Sequence, residues 1–352
     1  MVRNFNFSLF ALLWFGLLQA QITIKMEKQG GVFTVPCKVN GLPLRFIFDT
    51  GASGVTISLE EAKFMGKHGQ LNTEDILWPK GYQTANGEVS VGLDIILREV
   101  EFGGITLKNV VASIIDGDDV PLLLGQSVLS RIGSFQVDPI QSSLTIIPSS
   151  GNFNGTVLTD IDGNQYKTVK IGEQRWMAEN LKTERFANGE AIPHIRSAQE
   201  WAAIDYSAFA FYEHDSGNQR VYGNLYNWFA IVDQRGLCPF GWHIPSLSEL
   251  RDLEGYMNGL GISTSALKSS GSDWTSPNFE AQNYLGFNAV PGGKRWYSNG
   301  NFEFISKGGY YWTSSSAGNF RAYYYAFAHD YTEAKMHNFL WGDGFSCRCI
   351  QD

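Results

Sequence analysis

Between residues 31 and 147 short apolar runs alternate with turn-forming residues, which is the period of strands, not helices. Asn40-Gly41 is the clearest turn. Both residues tolerate the left-handed backbone of a tight hairpin, so the pattern predicts paired strands over Val32–Val39 and Leu42–Phe48. A short strand is expected at 55–57, and Ser58-Leu59-Glu60-Glu61 reads as a capping box that opens a short helix at Leu59. Residues 82–90 alternate about Asn86-Gly87 and predict a second hairpin. Leu122-Leu123-Leu124-Gly125 is wholly apolar up to its glycine, as in a buried strand, and leads into a short helical stretch at 126–131.

From Pro148 to Gly155 the periodicity is lost among Ser, Asn and Gly, and a domain boundary is expected there, with one domain over 21–147, a linker at 148–155 and a second domain over 156–352. The second domain reads as α+β with few long helices. Its best helix is 247–258, where Ser246 is the N-cap and Glu249 follows three residues later.

Composition narrows the class of protein. With 43% hydrophobic and 18% charged residues, the 352-residue chain is globular material sufficient for about two domains. A net charge of -8 without a Lys/Arg cluster argues against nucleic acid or an anionic membrane as the main partner. Arg3, an apolar run over 9–18 and Leu18-Gln19-Ala20 form the pattern of a secretory signal peptide over residues 1–20, so a secreted or envelope location is expected. There, the 4 Cys can be oxidised.

The chemistry points to Arg45-Phe46-Ile47-Phe48-Asp49-Thr50-Gly51-Ala52-Ser53, where an apolar strand delivers one carboxylate into a tight turn. Thr50 can lock such a turn by hydrogen bonding, and Gly51 lets the backbone approach the carboxylate. Two facing carboxylates held about 3 Å apart share one proton and divide into base and acid, which is the basis of aspartic proteolysis. Only one convincing copy is present. The rival second aspartate, Asp215 in Asp215-Ser216-Gly217, follows polar residues and reads as a surface loop.

Taken in order, the Asp49-Thr50-Gly51 turn, the Asn86-Gly87 hairpin and the strand ending at Gly125 resemble the retroviral-type (retropepsin-like) aspartic proteases over roughly residues 31–147. The resemblance implies an all-β acid-protease fold that acts as a homodimer on a peptide or protein substrate. Asp49, Thr50 and Gly51 of each subunit would form the catalytic turn, with Ala85, Asn86 and Gly87 in a flap over the peptide and Gly125 in the supporting strand. No cofactor or metal is expected. Ala52 offers no hydroxyl to a carboxylate, which points to a pH optimum less acidic than that of pepsin-like enzymes.

Leu237-Cys238-Pro239-Phe240-Gly241-Trp242-His243, Tyr311-Trp312-Thr313-Ser314-Ser315 and Phe345-Ser346-Cys347-Arg348-Cys349-Ile350 carry a second likeness. They resemble the Fibrobacter succinogenes major paralogous domain over roughly 155–352. That implies a C-type-lectin-like α+β fold with a recognition or targeting role, a carbohydrate or surface ligand being one possibility, and a disulfide between Cys238 and Cys349. Cys347 departs from the pattern and competes for the same partner. Asp160, Asp162 and Asn164 have the alternation of a calcium loop without its distal Glu, and Asp162-Gly163 reads instead as a hairpin turn.

Overall fold

The computed structural model describes residues 21–83, 89–116, 120–132, 134–147 and 157–352. The expected leader at 1–20, the linker at 148–155 and the flap residues Ala85, Asn86 and Gly87 therefore lie outside the described residues.

The first hairpin forms where Asn40-Gly41 predicts it. Strands β3 (Val32–Val39) and β4 (Leu42–Phe48) follow β1 (Ile22–Lys25) and β2 (Glu27–Gln29), and φ is +47° at Asn40 and +83° at Gly41. Beyond them run β5 (Val55–Ser58), α1 (Leu59–Lys67), β6 (Ile76–Gln83), β7 (Val89–Phe102), β8 (Ile105–Ile115), β9 (Leu123–Leu124), α2 (Gln126–Ile132), β10 (Ser134–Asp138) and β11 (Ser143–Ile147). An eight-stranded sheet has the order β2-β3-β4-β9-β5-β8-β7-β6, and β1, β11 and β10 make a second sheet. Side chains such as Val35, Phe46, Ile57, Leu97, Leu124 and Val128 close a core between these layers.

One feature of this topology places the site. The short β9 pairs in parallel with β4, matching Ile47 to Leu123 and Phe48 to Leu124, and on its other edge pairs Leu123 with Thr56 of β5. The segment 49–54 must therefore cross from one side of β9 to the other. Of the three apolar residues before Asp49, only Phe46 is fully buried, while Ile47 and Phe48 are half-buried, so the strand is less enclosed than its composition suggests.

The carboxy-terminal part is mostly strand with few helices. One five-stranded sheet joins Val157–Thr159, Gln165–Ile171, Gln174–Met177, Ile350–Gln351 and Trp242–His243, and a second joins Phe302–Ile305, Gly292–Arg295, Gly308–Gly318, Arg321–Ala328 and Lys335–Leu340. The helix Leu247–Gly259 begins with the expected capping box and buries Leu250, Leu253 and Met257 against a cluster that includes Trp176, Phe287 and Tyr311. Cys238 and Cys349 are joined, and Cys347 is a buried free thiol. Trp176, Trp201, Trp228 and Trp312 are fully buried and belong to the core of this part.

The two parts are packed together. Leu77, Ile96 and Val111 from the amino-terminal part belong to the same apolar cluster as Trp228, Trp242, Trp312 and Phe345.

Candidate active site

Asp49 leaves β4 while still tied to β9. Ile47 N–H donates to the Leu122 carbonyl at 2.7 Å and Asp49 N–H to the Leu124 carbonyl at 3.2 Å, so the ladder holds the backbone up to the carboxylate itself. Gly51 N–H then donates to Asp49 Oδ1 at 2.8 Å and closes an Asx-type turn. Asp49 is half-buried, and Thr50 and Gly51 are exposed. A carboxylate fixed at the surface by its own backbone suits a group that must meet another molecule.

The strand ending in Gly125 does buttress this turn, and the contact explains the glycine. A Cβ at position 125 would lie 2.6 Å from the Ala52 carbonyl oxygen and collide with that of Gly54, closer than real Cβ atoms approach. The next two residues complete the grip. Gln126 N–H donates to the Ala52 carbonyl at 2.9 Å and its Nε2 to the Thr50 carbonyl at 2.9 Å, while Ser127 N–H donates to the Ser53 carbonyl at 3.2 Å. Ser127 Oγ also accepts from Val55 N–H at 3.1 Å. Gln126 and Ser127 are thus structural members of the site that sequence reading missed, since polar residues at a helix start look like ordinary caps.

The arms of the second hairpin come together as expected. Strands β6 and β7 pair antiparallel up to Gln83 and Val89. A 610 Å³ depression on the flank of β3 and β4 is lined by Pro36, Leu44 and Phe102, and none of Asp49, Thr50 or Gly51 borders it.

Asp215 is corrected from a surface loop to a helix cap. It is exposed, and its Oδ1 accepts from Gly217 N–H at 2.6 Å at the start of the helix Ser216–Tyr222. In the calcium-like loop, Asp160 is filled by protein donors: Oδ1 accepts from the N–H of Asp162 and Asn164, and Oδ2 from Tyr166 Oη at 2.6 Å. The hairpin reading of Asp162-Gly163 holds, with Gly163 at φ +83° between two antiparallel strands.

A buried polar cluster joins the two parts of the chain beside α2. His243, 4% exposed, places Nδ1 2.7 Å from Asp352 Oδ1 and Nε2 2.8 Å from Glu249 Oε1. Arg131, at the end of α2, donates to the same Asp352 oxygen at 2.7 Å, and Asn109 Nδ2 donates to Glu249 Oε2 at 3.2 Å. No local spacing announces this cluster. Its members lie 6, 109 and 221 residues apart along the chain.

Comparison with known proteins agrees with this division. The model of the Fibrobacter succinogenes major domain matches residues 169–351, and an aspartyl protease model matches residues 35–128. An uncharacterized protein of Rickettsia prowazekii (strain Madrid E) is 32% identical over 108 residues, which are 31% of this chain and 44% of that one. An uncharacterized protein of Sinorhizobium sp, from the cobV 5' region, is 28% identical over 134 residues, 35% of this chain and 55% of that one. The chain thus spans about half the length of these curated relatives. Among solved structures, a retropepsin-like aspartic protease from Rickettsia conorii is similar at 30% identity and a TM-score of 0.30, covering 36% of this chain and 89% of its own. The retroviral protease-like domain of Ddi1 from Leishmania major follows at 18% identity and a TM-score of 0.25, covering 33% of this chain and 87% of its own.

Proposed function

The chain belongs to the Fibrobacter succinogenes major domain family, and because an aspartyl protease model matches the residues ahead of that domain, we propose that it is a secreted aspartic endopeptidase whose dyad is completed by a second copy. The observation that carries this reading is the Asp49 turn, closed by Gly51 N–H and gripped from behind by Gly125, Gln126 and Ser127. Such a turn presents one carboxylate per chain. Asp215 offers no second one, being engaged as a helix cap in the other part of the molecule.

In the dimer, the two Asp49 carboxylates share one proton. The ionised one takes a proton from the water between them as the oxygen attacks the peptide carbonyl, and the protonated one donates to the carbonyl oxygen; no covalent enzyme intermediate is needed. The flap residues Ala85, Asn86 and Gly87 would close over the peptide. The Cys238–Cys349 bridge suits the oxidising compartment to which a leader at 1–20 would direct the chain. In this reading the C-terminal domain, C-type-lectin-like in character, recognises a carbohydrate or other ligand outside the membrane.

The test is cleavage of a peptide library by the purified chain from acid to neutral pH, beside Asp49→Asn. Wild-type cleavage with loss of at least about a thousandfold in the variant is expected. Equal cleavage by both, or by neither, refutes the enzyme. Activity per chain should also fall on dilution into a monomeric range, and constancy there would mean that one chain holds both carboxylates.

A further inference from the structure

Gln234 belongs to the carboxy-terminal part, yet its side chain ends inside the amino-terminal one. Its Nε2 donates to Ser113 Oγ at 3.0 Å and reaches Asp94 Oδ1 at 3.5 Å, and Ser113 Oγ in turn donates to Asp94 Oδ1 at 2.9 Å. Ser113 and Asp94 are both buried on neighbouring strands β8 and β7, so this is an anchored contact. The amide rests against Gly54. A methyl group there would collide with the Gln234 amide, whose Nε2 would lie 3.0 Å away.

Gly54 is the last residue of the crossing that carries Asp49 from β4 to β5. Its neighbours Ser53 and Val55 are held by the backbone and hydroxyl of Ser127, so α2 grips the crossing on one side and Gln234 fills the space on another. The far end of α2 is fixed in the same way. Arg131 pairs with Asp352 of the carboxy-terminal part, both side chains being 9% exposed.

We propose that the carboxy-terminal domain is the rear support of the catalytic turn and that Gln234 is its positioning residue, so that this domain acts on turnover through the Asp49 crossing as well as on recognition. The inference rests on Asp49 being the catalytic carboxylate; the mechanical coupling it invokes does not. Displacing a reacting group by about 1 Å can cost on the order of a hundredfold in rate, so a backing contact of this kind has leverage without touching substrate.

The test is a double-mutant cycle on the full chain between Gly54→Ala and Gln234→Ala, read by peptidase kinetics and by amide hydrogen exchange at Val55, Gln126 and Ser127. Gly54→Ala alone should lower kcat about tenfold with KM little changed and speed exchange at those amides by a similar factor, and adding Gln234→Ala should restore both to within about twofold of Gln234→Ala alone. Gln234→Ala alone should speed the same amides by about threefold while leaving those of Arg321–Ala328 unchanged. If Gly54→Ala fails to fold, this single variant decides. Additive effects of the two substitutions, or unchanged exchange in Gln234→Ala, overturn the proposal. A wild-type chain without peptidase activity would refute the assigned reaction, and the exchange cycle would still decide the coupling.

Discussion

At position 125 one methyl group decides where the Asp49 turn can sit. The carbonyls of Ala52 and Gly54 occupy the space a Cβ would need, and both are backbone groups, not the ends of flexible side chains. Gly125→Ala should therefore destabilise the fold by about 1–3 kcal/mol, as overpacking does, and should cost more activity than that loss of folded protein explains. Denaturant midpoints and kcat at saturating peptide, measured on the folded fraction, check this; a variant with the midpoint lowered and kcat intact would show that the glycine serves packing alone. The Asp49 turn and the approach of Gly125 to it were legible in the sequence because their signals are local: an apolar run stops at Asp49 and another at Gly125. Gln126 and Ser127 were not, because a polar pair opening a helix has many innocent uses. Gln234 was beyond reach, since its partners Ser113 and Asp94 lie 121 and 140 residues away.

Among the elements, two helices began with the same sequence signal and acquired different supports. Ser58 Oγ accepts from Glu61 N–H at 3.2 Å, but Glu61 does not return the bond and its Oε2 has no partner. At Ser246 both halves of the box are made, and Glu249 also receives Ser246 Oγ at 2.8 Å while holding His243. Ser58→Ala should thus cost about 1 kcal/mol, the usual worth of a cap, and Ser246→Ala about twice that because it loosens a half-buried, ion-paired carboxylate as well. Urea unfolding of the two variants measures the difference, and equal costs would mean that the Glu249 contacts are independent of the cap. The helix Ser216–Tyr222 escaped sequence reading for the opposite reason. None of its residues is buried, so it carries no apolar stripe, and Asp215-Ser216-Gly217 shows only turn chemistry. Elements bounded by a turn or cap signal were legible to within a residue or two, as at Leu42–Phe48 and Leu247–Gly259, whereas core strands without one, such as Arg321–Ala328, were not.

For the whole molecule, the cluster of His243, Glu249, Asp352 and Arg131 should make the union of the two parts depend on pH. Burial opposes charge on His243, but the flanking carboxylates of Glu249 and Asp352 outweigh it and raise its pKa above the usual histidine value. Burial likewise pushes Glu249 up, and the His243 charge with the Ser246 hydrogen bonds more than reverses this, holding it at about 2. Asp352 follows the same pattern: burial raises it, and Arg131 with His243 brings it below the ordinary carboxylate range. The signs then set a window. A histidine raised on folding contributes fully below its unfolded value of about 6.5 and loses that contribution as pH climbs through the folded value. Carboxylates depressed on folding contribute fully above their unfolded values of about 4 and lose it as pH falls toward their folded ones. The cluster should therefore stabilise the chain most between about pH 4.5 and 6.5, with decline on both sides. Replacing His243 by Gln leaves Asp352 with Arg131 and Glu249 with only the Ser246 and Asn109 donors, a change worth about 3–5 kcal/mol when one partner of a buried ion pair is removed. That cost must itself shrink as pH climbs through the raised pKa of folded His243, whereas a purely packing role would cost the same at every pH. Denaturant unfolding of wild type and His243→Gln, stepped from about pH 5.5 up to the alkaline limit of wild-type folding, separates the two. Converging curves toward high pH support a protonated clamp across the two parts, and parallel curves rule it out.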